Sequence, residues 1–154
     1  MKTLYLMRHG HSPTCAEARV KTDAMRPLSD KGRADARRAA EAVLKRGGRP
    51  ALILHSPLLR AVQTAAAAAA ALKAPAEAFV PLDNTLPPQE VLDALRKRAA
   101  GVEEVLAVGH QPQIGELAAL LTGRSFEFRP AGMVAVECGA EPRALWSLSP
   151  EDAG

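Results

Sequence analysis

Thr3-Leu4-Tyr5-Leu6-Met7-Arg8-His9-Gly10 is the stretch on which the fold turns. A short β-favouring run at the start of a chain reads as a buried strand. Its C-terminal end then delivers an arginine, a histidine and a glycine into the crevice where open α/β sheets bind ligands. A guanidinium grips phosphate oxygens with a planar fork of donors. An imidazole is largely uncharged near neutral pH and can act as a nucleophile there. Gly10 lets the backbone turn sharply and lie close to a bound group. An incidental basic pair at a strand end would look the same over eight residues, so the rest of the chain decides.

Outward from this strand, His11 to Pro27 has no clear period and reads as a long loop with a helical turn around Ala16 to Val20. Long loops at the mouth of a sheet are often functional. Ser29 is an N-cap for a helix to about Arg46, with Ala36, Ala39, Ala40, Val43 and Leu44 on its apolar face. Gly47-Gly48 ends it. Ala51 to His55 is a second strand. Ser56-Pro57 reads as an N-cap followed by proline at the first helical position, opening a helix to Lys73 through the alanines Ala65 to Ala71.

Phe79 to Leu82 is expected to be a short strand, Asn84 to Pro88 a turn, and Gln89 to Ala100 a helix with Val91, Leu92 and Leu95 inward. Glu104 to Val108 is a third clear strand. Pro112 opens a helix through Leu121, stopped by Gly123, and Met133 to Cys138 and Ala144 to Leu148 are two strands read as antiparallel neighbours. Strand and helix alternating in this order predict an α/β fold. The expectation is a single domain over 1–154, a three-layer α/β/α sandwich with a mostly parallel central sheet.

The composition narrows the function. With 154 residues, 47% hydrophobic and 24% charged, the chain can bury a sizeable core and global disorder is excluded. Its five aromatics (Tyr5, Phe79, Phe126, Phe128 and Trp146) leave that core to Ala, Leu and Val. The net charge of +3 comes from bases scattered among acids, with no Lys/Arg block and few rings to stack bases, so no nucleic-acid partner is expected. Cys15 and Cys138 match no metal-ligand spacing and read as free thiols in a reducing compartment. Arg8 interrupts the only apolar run at the N-terminus, and no run approaches a membrane span, so a cytoplasmic protein without a membrane partner is expected.

Three strand ends point the same way. The first gives Arg8 and His9, the second Ser56-Pro57-Leu58-Leu59-Arg60, and the third Gly109-His110. Parallel strands share a carboxyl edge, so these groups converge although they lie far apart in sequence. Two arginines, two histidines and a helix start around one pocket make an anion site, specifically a phosphoryl site.

These residues resemble the histidine phosphatase superfamily, also called phosphoglycerate-mutase-like. The resemblance rests on Leu6-Met7-Arg8-His9-Gly10, on Ser56-Pro57-Leu58-Leu59-Arg60-Ala61-Val62-Gln63-Thr64, and on Val108-Gly109-His110. The short length, Arg26-Pro27-Leu28-Ser29 and His110-Gln111-Pro112 are similar to the SixA branch of phosphohistidine phosphatases. The resemblance implies that His9 is a nucleophile that becomes transiently phosphorylated. It also implies that Arg8, Arg60 and His110 hold the phosphoryl oxygens, and that Arg26 adds a further contact.

The chemistry points the same way independently. Phosphoryl transfer is mostly positioning plus charge stabilisation, which a cradle of cations around an in-line nucleophile supplies. His9 must present one unprotonated nitrogen while the other donates, most simply to a backbone carbonyl. His110 can be cationic and stabilise the equatorial oxygens. No metal or cofactor is required. The general acid is the open position, because Leu82 to Glu90 matches the mutase-type pattern poorly; Glu90 and Asp23 are the candidates. His11 stands where many relatives carry a carboxylate, and reads as a solvated loop residue.

The expected activity is hydrolysis of phosphohistidine, free or on a protein, through a phosphorylated His9. A phosphomonoesterase acting on small phosphorylated molecules is the alternative within the same fold. A metallohydrolase built on His9-x-His11 and a non-catalytic phosphate-binding module are more distant.

Overall fold

The computed structural model describes residues 1–152. Along the chain run β1 (Thr3–Arg8), α1 (Cys15–Ala18), α2 (Asp30–Lys45), β2 (Leu52–His55), α3 (Leu59–Leu72) and β3 (Ala76–Ala78). There follow α4 (Pro88–Arg98), β4 (Glu104–Gly109), α5 (Gln113–Thr122), β5 (Met133–Glu137) and β6 (Arg143–Leu148). The six strands form one sheet in the order β3-β2-β4-β1-β5-β6. β1 pairs parallel with β4, and β2 pairs parallel with both β3 and β4; only β5 runs against its neighbours. The mostly parallel sheet and the antiparallel pairing of the last two strands agree with the sequence pattern.

Each face of the sheet buries its own core, because alternate side chains of a strand point to opposite faces. Leu4 and Leu6 of β1 join Val105 and Ala107 of β4 under Leu92 and Leu95 of α4 and Ile114 and Leu117 of α5. Tyr5 and Met7 point the other way, with Ile53, Leu106 and Val108, against the alanine rows of α2 and α3. Ala36, Ala39 and Ala40 of α2 and Ala61, Ala65 and Ala68 of α3 are fully buried. Side chains this small let two helices lie close together and close to the sheet. The Tyr5 hydroxyl, set among these residues, donates to Glu104 Oε1 at 2.6 Å. Among the described residues no helix is long and apolar enough to cross a membrane.

Two local expectations are corrected. The short strand lies at Ala76–Ala78, and Val80–Leu82 forms a 3₁₀ turn instead. Pro81 has no N–H to give a ladder, which removes the end of the expected run from the sheet. The helix after β2 begins at Leu59, with Leu58 as its N-cap, so neither Ser56 nor Pro57 plays the role read from the sequence. Ser56 is drawn elsewhere: it is fully buried, and its hydroxyl oxygen accepts from the Leu58 N–H at 3.2 Å. Within the long loop, Thr14 and Glu17 form a capping box around the single turn of α1, and Asp23–Met25 is a 3₁₀ turn.

The exit of β1 is pressed against the first turn of α2. A Cβ at Gly10 would lie 2.7 Å from the Gly32 carbonyl oxygen, and one at Gly32 would collide with the His11 carbonyl oxygen. Ser29 caps α2 by accepting from the Gly32 N–H at 3.0 Å. Gly32→Ala is therefore expected to destabilise the protein by about 1–2 kcal/mol, since backbone overpacking outweighs the roughly 1 kcal/mol of helix propensity that alanine supplies. Urea unfolding checks this; an equal or higher stability for the variant would contradict the close contact.

Candidate active site

The register of the parallel strands sets the level of the site. Arg8 lies opposite Gly109, and His55 opposite Val108. The His9 N–H donates to the Gly109 carbonyl at 3.0 Å and the Ser56 N–H to the Val108 carbonyl at 3.0 Å. Three chains thus leave the sheet side by side, carrying His9, Ser56 and His110. Arg60 joins them from the first turn of α3, which follows β2 closely.

His9 and His110 face each other with ring centroids 5.2 Å apart, and both are buried. His9 Nδ1–H donates to the Gly10 carbonyl at 2.7 Å, which leaves Nε2 with its lone pair free. Burial, reinforced by the charges of the neighbouring histidine and arginines, pushes the His9 imidazole down to about 3. His110 Nε2 lies 2.7 Å from the Ser56 hydroxyl. The buried Ser56 hydroxyl has no other acceptor for its own proton among the described residues, so that proton is directed at Nε2, and the imidazole proton of His110 sits on Nδ1. Burial, then the Arg60 charge, pushes His110 down to about 4. The ring is therefore neutral at pH 7 and not the cation the sequence allows, because desolvation disfavours the charged form. It acts on an anion as a directed N–H donor.

The arginines are held from the sides. Arg8 Nη1 donates to the Phe128 carbonyl at 2.9 Å, and burial pulls this guanidinium below its ordinary value. Arg60 donates through Nη1 to the Asp23 carbonyl and through Nη2 to Asp23 Oδ2, both at 2.9 Å. Thr64, fully buried, accepts from the Gly10 N–H at 3.0 Å and donates to the Arg60 carbonyl at 2.7 Å, tying the exit of β1 to α3. Arg8 Nε, Arg60 Nε and His110 Nδ1 are buried and make no hydrogen bond among the described residues. Buried polar groups without partners are costly. Three such donors at one strand edge are matched chemically by a tetrahedral oxyanion, which offers several acceptor oxygens and negative charge together.

The remaining candidates divide. Asp23 reaches the cradle, with Arg26 and then Arg60 holding its carboxyl below the usual carboxylate range. Arg26 contacts the cradle only through Asp23; it otherwise donates to the carbonyls of Pro13 at 2.8 Å and Ser12 at 3.2 Å, bracing the loop. Glu90 is exposed in the first turn of α4 and makes no hydrogen bond to these residues. His11 is tied to the cap of α2, with Nδ1 2.7 Å from the Ser29 hydroxyl. Among the described residues no three His, Cys, Asp or Glu side chains cluster as metal ligands.

Sequence reasoning missed several contributors. Ser56 was visible but read as a helix cap, and Thr64 lay unremarked in the same motif. Nothing in the sequence marked the Phe128 carbonyl. Asp83, whose negative charge opposes the downward push on His110, was passed over with its segment. That segment is clasped to α5: Asn84 and Gln113 exchange backbone-to-side-chain bonds, the Gln113 N–H donating to Asn84 Oδ1 at 3.1 Å.

The family model for the histidine phosphatase superfamily (branch 1) matches residues 4–84. The chain belongs to this superfamily. A protein of Picosynechococcus sp. without an assigned function is 34% identical over 146 residues, covering 89% of this chain and 86% of that one. Among solved structures, the protein histidine phosphatase SixA complexed with tungstate superposes with a TM-score of 0.89 at 26% identity over 99% of both chains. A mycobacterial glucosyl-3-phosphoglycerate phosphatase in complex with VO3 shares the fold, with a TM-score of 0.67 at 20% identity over 95% of this chain and 99% of that one. The chain is thus a phosphatase of the histidine phosphatase superfamily, SixA-type branch.

A pH dependence follows from the two buried imidazoles. Unfolded histidine titrates near 6.5, whereas His9 and His110 titrate at about 3 and about 4 when folded. Between those values the unfolded chain binds more protons, so stability falls as pH drops from about 6.5 toward 4. The urea midpoint is expected to decline over that range, and the decline to be shallower in His110→Gln. A midpoint insensitive to pH from 7 to 4.5 would contradict the buried neutral pair.

Proposed function

We propose that this phosphatase hydrolyses phosphohistidine, free or displayed on a protein, through a phosphorylated His9. The carrying observation is the state of Asp23. It is the one carboxylate hydrogen-bonded to the cradle among the described residues, and two arginines hold it ionised. An ionised carboxylate has no proton to give. The unpaired donors of Arg8, Arg60 and His110 suit a phosphoryl group, whereas the carboxylate hydrogen-bonded to them offers no proton to a poor leaving group.

In the proposed sequence, Arg8, Arg60 and His110 Nδ1–H bind the phosphoryl oxygens. His9 Nε2 attacks phosphorus in line, the new N–P bond forms, and the N–P bond to the substrate imidazole breaks. With an imidazole pKa of about 6.5, the substrate ring takes a proton from solvent on its other nitrogen near neutral pH. It thereby leaves as neutral imidazole, keeping the N–P electron pair, without a positioned acid. This step passes the phosphoryl group from one imidazole to another, so it is close to balanced in energy. Water then attacks phospho-His9, releasing phosphate and returning the nitrogen lone pair. An alcohol ester is different, because its alkoxide departs near neutral pH only with a well-placed proton donor. The likeness to SixA supports the same substrate class.

A small-ester reading would need another donor, and Asp83 is, after Asp23, the second carboxylate whose charge acts on His110. The two readings separate by substrate. We expect kcat/KM for a phosphohistidine peptide to exceed that for sugar and nucleotide monoesters by about 100-fold or more, the usual worth of a general acid. Asp23→Asn keeps an acceptor for Arg60, and is expected to lower the phosphohistidine rate by less than about tenfold. A monoester as the better substrate, with Asp83→Asn or Asp23→Asn abolishing its turnover, would replace phosphohistidine by small esters.

A further inference from the structure

Outside the cradle, a concavity that brings unpaired charge together lies between α2 and α3. It is a groove of about 510 Å³ lined by Arg33, Ala34, Arg37, Gln63, Ala66 and Ala67. Three alanines from the two helices, Ala34, Ala66 and Ala67, line it. With nothing beyond Cβ at these three positions, the ridge of a third helix can approach closely.

The charge of the groove is one-sided. Arg33 and Arg37 stand one turn apart on α2, both exposed, and neither guanidinium makes a hydrogen bond or ion pair among the described residues. Lys31 and Arg38 on the same helix do pair, both with Asp35. The opposite wall, α3, contains no acidic residue. The unmatched cations therefore favour an occupant with carboxylates spaced one helical turn apart.

Two local contacts link the groove to the elements that carry the site. Gln63, one turn beyond Arg60 on α3, accepts from the Leu28 N–H at 2.8 Å, which anchors the loop that carries Asp23 and Arg26. Gly32, the residue before Arg33, is the one pressed against Gly10. The groove is thus tied to the cradle through the loop held by Gln63 and through the contact of Gly32 with Gly10, and neither arginine of the groove belongs to the cradle.

We propose that this groove docks an acidic α-helix of the protein that bears the phosphohistidine. The proposal rests on the phosphohistidine reading and adds what selects the substrate protein. Helix-in-groove recognition reads side chains at i and i+4, which matches the spacing of Arg33 and Arg37. Nucleic acid fits less well, because the alanine wall offers neither cations for a backbone nor rings for bases.

The test uses the full chain, its Arg33→Glu/Arg37→Glu variant and Lys45→Glu as a charge control. The probes are a helical phosphohistidine peptide with glutamates at i and i+4, its glutamine counterpart, and free phosphohistidine. In the wild type, KM for the acidic peptide is expected to be roughly tenfold lower than for the glutamine peptide. The double reversal removes that advantage, and leaves kcat and the hydrolysis of free phosphohistidine unchanged; Lys45→Glu retains it. Equal KM values for the two peptides in the wild type, or an advantage that survives the double reversal, overturns the groove. If no phosphohistidine compound is hydrolysed, the substrate reading fails separately, and fluorescence anisotropy with the unphosphorylated acidic peptide decides the groove. Binding that the double reversal abolishes sustains it. No binding, or displacement of the peptide by an equal concentration of oligonucleotide, overturns it.

Discussion

Parallel pairing of β1, β4 and β2 is the constraint on which the site depends. Arg8 opposite Gly109 and Val108 opposite His55 bring three chain exits to one level. A slip of one residue in either pairing would turn every side chain of that strand to the other face. It would expose Leu4 and Leu6 or Tyr5 and Met7 to the wrong core, and at the same time separate His9 from His110. The two buried cores therefore enforce the geometry of the cradle. Packing energy spread over both faces holds a handful of polar groups in place.

Those polar groups are held against their own solvation. Burial disfavours charge on His9 and His110 and pulls Arg8 below its ordinary value. Each nitrogen that could wander is fixed by a neighbour. The Gly10 carbonyl takes the His9 Nδ1 proton, Ser56 faces His110 Nε2, and Phe128 and Asp23 fix the arginine tips. What is left over is three desolvated donors and one free imidazole nitrogen. A bound phosphoryl group answers the donors with oxygens and the cations with charge, which strengthens each contact in a low-dielectric setting.

Much of this was legible in the sequence where one local cause dominates. Apolar runs such as Leu4 to Met7 and Val105 to Val108 announced the strands. Ser29 announced the start of α2, and residues after strand ends announced the convergence of Arg8, His9, Arg60 and His110. What was not legible depends on competition between partners. Ser56 carries the chemistry of a helix cap, and only the tertiary fold shows that its hydroxyl serves Leu58 and His110 instead. Pro81 was present in the expected strand, yet its missing N–H matters only once the ladder is placed. The neutrality of His110 is a property of burial, and the engagement of Asp23 with Arg60 joins residues whose proximity no local pattern records.

The central claim is that His9 attacks phosphorus through Nε2, because Nδ1 is committed to the Gly10 carbonyl. The most direct measurement is phosphorus NMR of enzyme quenched under alkaline denaturing conditions during turnover of a phosphohistidine peptide, with peptide mapping of the modified residue. The account predicts one acid-labile phosphohistidine, on Nε2 of His9, absent from His9→Ala. Phosphate on Nδ1, phosphate on another residue, or turnover by His9→Ala would contradict it.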